Sequence, residues 1–185
     1  MSMISVSAAC ARREAADGCA GCGARAFSVC RDVKGPDLER LNALAETVTL
    51  QPGDVLAREG DPARHLFNVT AGSLRVYKLL PDGRRQITGF LFAGDFLGLA
   101  GGEAFGFTAE AMESSSLCRF RRDAYRTLVR ETPDLEQALL TRTSHELAAA
   151  QNQMLLLGRK TAQERVASFL LDLPSHDPSR SAPDN

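Results

Sequence analysis

Leu74-Arg75-Val76-Tyr77-Lys78-Leu79-Leu80-Pro81-Asp82-Gly83-Arg84-Arg85-Gln86-Ile87-Thr88-Gly89-Phe90-Leu91-Phe92 reads as two apolar runs folded back on each other across a tight turn. Pro81-Asp82-Gly83 supplies the fixed φ, the side-chain-to-backbone bonding and the positive φ that such turns need. Outward from this hairpin the same pattern repeats. Short apolar runs at Val48–Leu50, Val55–Ala57, Leu66–Thr70 and Ser116–Phe120 are punctuated by Gly53-Asp54, Gly60-Asp61 and Gly94-Asp95. Short strands at such even spacing predict a mainly β architecture, an antiparallel jelly-roll barrel.

Helices flank the barrel. A short one is expected over residues 36–46, with Pro36 in its first turn and Leu38, Leu41 and Leu44 on one face. After Arg122 the helical period returns. Asp123 is expected to cap a short helix reaching Val129, and Thr132-Pro133 reads as an N-cap followed by proline at the first helical position. From Leu135 to Leu157 neither Gly nor Pro interrupts; Gly158 marks a place to end or loosen the helix, and Thr161 to Leu173 continues helically. Leu140, Thr143, Leu147, Ala150, Met154, Leu157 and Thr161 fall on alternating steps of three and four, as coiled-coil a and d positions do. A second reading lays this helix on its own barrel. Residues 174–185 are polar and read as a disordered tail.

Composition removes several classes of function. The 185 residues carry a net charge of −1, so no bulk electrostatic attraction draws the chain to nucleic acid. No window of about 18 apolar residues suggests a membrane span, and the first residues lack the continuous apolar core of a secretory signal. A cytoplasmic protein is expected. His65, His145 and His176 are scattered, and no nucleophile–base arrangement is legible, so an enzyme is not expected.

The cysteines carry the chemistry. Cys19-x2-Cys22-x7-Cys30 is followed far downstream by Cys118, with Cys10 ahead of the group. In a reducing compartment such crowding points to metal or redox chemistry rather than to disulfides. Four thiolates are the number a [4Fe–4S] cluster takes. Tetrahedral zinc accepts the same four, and a Cys-x2-Cys pair also suits a redox couple. Strand alternation places Cys118 on one face with Ser116 and Phe120, opposite Leu117 and Arg119. A buried strand cysteine without a ligand role has that same pattern.

The run Met154-Leu155-Leu156-Leu157-Gly158-Arg159-Lys160-Thr161-Ala162-Gln163-Glu164-Arg165-Val166-Ala167-Ser168-Phe169-Leu170 closely resembles the end of the long helix in the Fnr and FixK branch of the Crp/Fnr family. Pro52-Gly53-Asp54-Val55-Leu56, Glu59-Gly60-Asp61 and Gly72-Ser73-Leu74-Arg75-Val76 resemble that family's barrel turns. The resemblance implies a cysteine-rich cluster-binding segment over 1–35, a cyclic-nucleotide-binding-type jelly-roll sensor over 36–130 and a dimerisation helix over 131–173. It implies an oxygen-sensing transcription regulator with Cys19, Cys22, Cys30 and Cys118 as ligands of a [4Fe–4S] cluster and Cys10 as the spare; zinc is the alternative. Phe27 and Val29, beside Cys30, are candidates to shield the cluster.

The implied partner is a second copy of the chain, joined through Leu140, Leu147, Ala150, Met154 and Leu157. Oxygen-sensing relatives place an acidic residue where this chain has Ala150, so pairing is expected to depend little on the cluster. In the family a helix-turn-helix domain follows. No such pattern is legible after Leu173, so DNA and RNA polymerase are expected to be met only through a full-length protein. Arg84-Arg85 is a candidate polymerase contact by the same resemblance.

A cyclic-nucleotide-binding module is the competing class. Its relatives use a Glu for the ribose and an Arg for the phosphate in the region that reads here Gly94 to Ala109. Phe107 stands at the position of that Arg, which leaves a phosphate without its bidentate partner. Cyclic nucleotide is therefore not an expected ligand.

Overall fold

Apolar residues on alternating positions are the reason the middle of the chain folds as strands, and the turns between them fall where glycine sits. In the computed structural model, residues 18–99, 102–159, 161, 163–164, 166–168 and 170–171 are described. Helix α1 (Gly35–Leu44) leads into eight strands: β1 (Glu46–Leu50), β2 (Val55–Ala57), β3 (His65–Ala71), β4 (Leu74–Leu79), β5 (Arg85–Leu91), β6 (Phe96–Leu97), β7 (Thr108–Ala111) and β8 (Ser115–Arg121). Helices α2 (Arg122–Glu131) and α3 (Pro133–Arg159) follow. The strands form two four-stranded antiparallel sheets, ordered β1-β8-β3-β6 and β2-β7-β4-β5. This is the expected jelly roll.

The opening hairpin folds as read. Gly83 takes φ +82 and its amide donates to the Leu80 carbonyl at 2.9 Å, while the Leu80 amide donates to the Arg84 carbonyl at 2.8 Å. Arg84 is held by Asp82, and Arg85 lies over the Tyr77 ring and pairs with Glu110.

Two cores result. Val48, Leu50, Phe67, Val69, Leu74, Leu97 and Leu117 fill the space between the sheets. A second core lies outside the first sheet, where Leu66, Phe96, Cys118 and Phe120 meet Leu41 of α1, Tyr125 and Leu128 of α2 and Leu135 of α3. The sheet β1-β8-β3-β6 is thus covered on both faces. Successive residues of β8, Leu117 and Cys118, enter different cores, as alternation requires.

Some expectations are corrected. Strands β6 and β7 were not legible as strands. Helix α2 begins at Arg122, and Asp123 lies in its first turn, accepting from the Ala124 amide at 2.8 Å. Pro133 does open α3, but Thr132 caps it with its carbonyl; its buried hydroxyl has no partner among the described residues. The helix expected over 131–173 is interrupted, because Thr161 is not helical. The Thr161 amide and hydroxyl both donate to Glu164 at 2.8 Å, and the Glu164 amide donates back to the hydroxyl at 3.4 Å. This reciprocal pattern starts a new helix and competes with continuation of the old one. Among the described residues no helix is long and apolar enough to cross a membrane.

Candidate metal centre

The segment carrying three of the cysteines is ordered by docking onto the helices and the barrel. Gly18 takes φ +39 against Asn42 of α1, where a Cβ would come within 2.7 Å of the side-chain oxygen. That same oxygen accepts from the Cys19 amide at 3.1 Å. Successive tight turns follow, the Arg25 amide donating to the Cys22 carbonyl at 3.0 Å and the Phe27 amide to the Ala24 carbonyl at 3.2 Å. Arg25 then folds back, its guanidinium donating to the Cys30 carbonyl at 3.2 Å and the Val33 carbonyl at 2.6 Å. The loop between Cys22 and Cys30 is closed by that one side chain. No local pattern announces it, since its partners are backbone carbonyls brought near only by folding.

Of the four described cysteines, Cys19, Cys30 and Cys118 are buried and Cys22 is partly buried. Cys30 and Cys118 share the second core. Burial pushes the Cys30 thiol up to about 12; a hydrogen bond from Ser28 opposes the shift, and Cys19, Cys118 and Cys22 each add to it. The four sulfurs therefore form one electrostatic group, although Cys118 comes from a strand far along the chain. Cys10 lies outside the described residues.

Zinc and an iron–sulfur cluster ask different things of these four cysteines. Among the described residues no three or more His, Cys, Asp or Glu side chains are placed to hold one metal ion. Zinc would draw its sulfurs to about 2.3 Å from one centre. A polynuclear cluster occupies more room and spreads the same ligands further apart. The donor set, four soft thiols, fits such a cluster.

The two candidate shields separate. Val29 is buried in the second core, whereas Phe27 leaves 52% of its surface in solvent. The Phe27 backbone has another contact: it abuts Gly94, whose φ is +96 and whose missing Cβ would lie 2.7 Å from the Phe27 Cβ. The next residue, Asp95, accepts from the Phe92 amide at 2.9 Å and forms an ion pair with Arg142 of α3. One barrel turn thus touches both the cysteine segment and the long helix.

On α3, Leu135, Ala138 and Leu139 pack into the second core. Leu140 and Leu147 leave 61% and 60% of their surfaces exposed, and Ala150 is exposed. These seam residues do not lie on the barrel. The side chains of Met154 and Leu157 are outside the described residues. At the position of the nucleotide phosphate partner, Phe107 packs against the barrel core beside Phe105, with ring centroids 5.9 Å apart.

Residues 47–132 match the cyclic nucleotide-binding domain family. The chain is similar to the transcriptional activatory protein AadR of Rhodopseudomonas palustris, 38% identical over 81% of this chain and 63% of that protein. It is similar to electron transport regulator A of Shewanella oneidensis, 31% identical over 88% of this chain and 68% of that protein. Among solved structures, FixK2 from Bradyrhizobium japonicum superposes with a TM-score of 0.66 at 37% identity, covering 71% of this chain and 66% of that one. The chain spans a little under two thirds of the length of AadR. On the sequence match along most of its length and the shared jelly roll, this chain belongs to the Crp/Fnr family of transcription regulators.

Proposed function

We propose that the chain is the sensory and dimerising part of an oxygen-responsive regulator, with Cys19, Cys22, Cys30 and Cys118 holding a [4Fe–4S] cluster. The observation that carries this reading is the convergence of four cysteines from two distant stretches of chain, Cys19, Cys22 and Cys118 each acting electrostatically on Cys30. When bound, the cluster supplies an oxygen-labile tie between those stretches. The residues of the chain do the rest. Cys118 anchors the tie to β8, Arg25 closes the loop ahead of Cys30, and Val29 keeps water and oxygen from the buried side. Loss of the tie frees the segment, because metal ligation contributes ordering energy that the segment's own burial does not replace.

The Gly94-Asp95 turn connects that event to the helix. With Phe27 lifted from Gly94, the turn holding Arg142 through Asp95 loses its outer support, and α3 changes its setting on the barrel. Two copies pair through the exposed face of Leu140, Leu147 and Ala150, continued by Met154 and Leu157. Specific DNA and RNA polymerase are met through the full-length dimer in the cytoplasm. Cyclic nucleotide is not the signal, since Phe107 stands where a phosphate needs a guanidinium. The test is anaerobic loading with iron and sulfide. Brown protein that bleaches in air supports the reading; stoichiometric zinc without iron overturns it.

A further inference from the structure

Tyr125 is only 1% exposed, and its ring packs on Phe120 and Phe96 with centroids 5.2 and 5.6 Å away. All three belong to the second core together with Cys30 and Cys118. Its hydroxyl is buried and has no hydrogen-bond partner among the described residues. A buried phenol ordinarily reaches one, because phenylalanine fills the same space without stranding a polar group. Cys30 lies near enough for its charge to raise the phenol further than burial alone does.

We infer that Tyr125 is a positioning residue of the metal centre, its hydroxyl donating a hydrogen bond to a bound thiolate, that of Cys30. The inference rests on the reading of the cysteines as ligands. A thiol is a weak acceptor and a metal-bound thiolate a much better one, so the Tyr125 hydroxyl, without a partner among the described residues, suits a ligand thiolate. The hydrogen bond fixes the orientation of Cys30 and withdraws charge from its sulfur. Both effects slow cluster loss, and the second raises the reduction potential.

Tyr125→Phe tests this because it acts with opposite sign on the two forms. In the metal-free chain it removes an unsatisfied polar group, so the melting temperature should stay the same or rise by roughly 2–8 °C. In the loaded chain the reduction potential should fall, and bleaching in air should quicken by about three- to tenfold. A metal-free variant that melts several degrees lower would give Tyr125 a packing role and overturn the inference. So would a loaded variant with the potential and bleaching rate of the parent. If the parent chain takes up no iron, the metal-centre reading fails and this inference falls with it; if the parent loads and the variant matches it, Tyr125 alone has been misassigned.

Discussion

Leu117 and Cys118 are neighbours on β8, yet they belong to regions built on different principles. Leu117 enters the core between the sheets, where it joins the apolar side chains of Val48, Leu50 and Val69. Such a core is complete as it stands, because removing apolar area from water is the whole of its driving force. Cys118 enters the outer core, which mixes aliphatic and aromatic groups with thiols and the unpartnered hydroxyl of Tyr125. A buried hydroxyl without a partner lowers stability, and on the proposed reading that of Tyr125 meets a cluster thiolate. On the proposed reading the barrel supports the site and the layer outside it receives the cluster.

Substituting those two neighbours separates the regions most sharply. Cys118→Ala should abolish iron binding and visible colour while leaving the barrel folded. Leu117→Ala should cost about 2–5 kcal/mol in denaturant titration through the cavity it leaves, yet the folded fraction should still load iron. If both variants lost iron equally at equal folded fraction, the two cores would not be independent.

A smaller effect is expected at the turn between them. Gly94→Ala forces a Cβ onto Phe27 and strains a backbone at φ +96, so it should cost roughly 1–3 kcal/mol and loosen the cysteine segment. Faster proteolysis within residues 18–33, with the barrel resistant, is the expected signature. Arg142 provides the companion test: Arg142→Ala should leave iron binding intact while weakening the difference between loaded and empty chain in any probe placed on α3.

At the seam, sedimentation of metal-free and loaded protein should find dimers in both states, since Ala150 puts no charge between the helices. Ala150→Asp should weaken pairing of the metal-free form by about tenfold or more, by repulsion and desolvation of facing carboxylates. A parent chain that is monomeric when empty and dimeric when loaded would refute cluster-independent pairing. The mildest effect belongs to Val29→Gly, which opens the buried side of the site and should speed bleaching in air by a few-fold. An unchanged rate would remove Val29 as a shield.

What could be read beforehand follows from the range of the interactions. The Pro81-Asp82-Gly83 hairpin, α1 and the face of Cys118 depend on neighbours in sequence, and all were legible. Strand β6 has two residues, too few to show a period, and β7 is Thr108-Ala109-Glu110-Ala111. Its Glu110 is buried and paired with Arg75 and Arg85, an arrangement that hides a strand behind polar letters. The Thr161-x-x-Glu164 box has the letters of a helix start, but the apolar period runs through it and hides the break. Arg25, Tyr125 and the Gly94 contact with Phe27 depend on partners that only the fold brings together.

The central claim is that the outer core is completed by an iron–sulfur cluster. Its most direct test is iron and sulfide analysis with a visible spectrum of the chain prepared without oxygen. The account predicts about four irons and four sulfides per chain, and broad visible absorption that bleaches on exposure to air. One zinc per chain with neither iron nor sulfide, or a colourless protein that stays metal-free after anaerobic reconstitution, would contradict it.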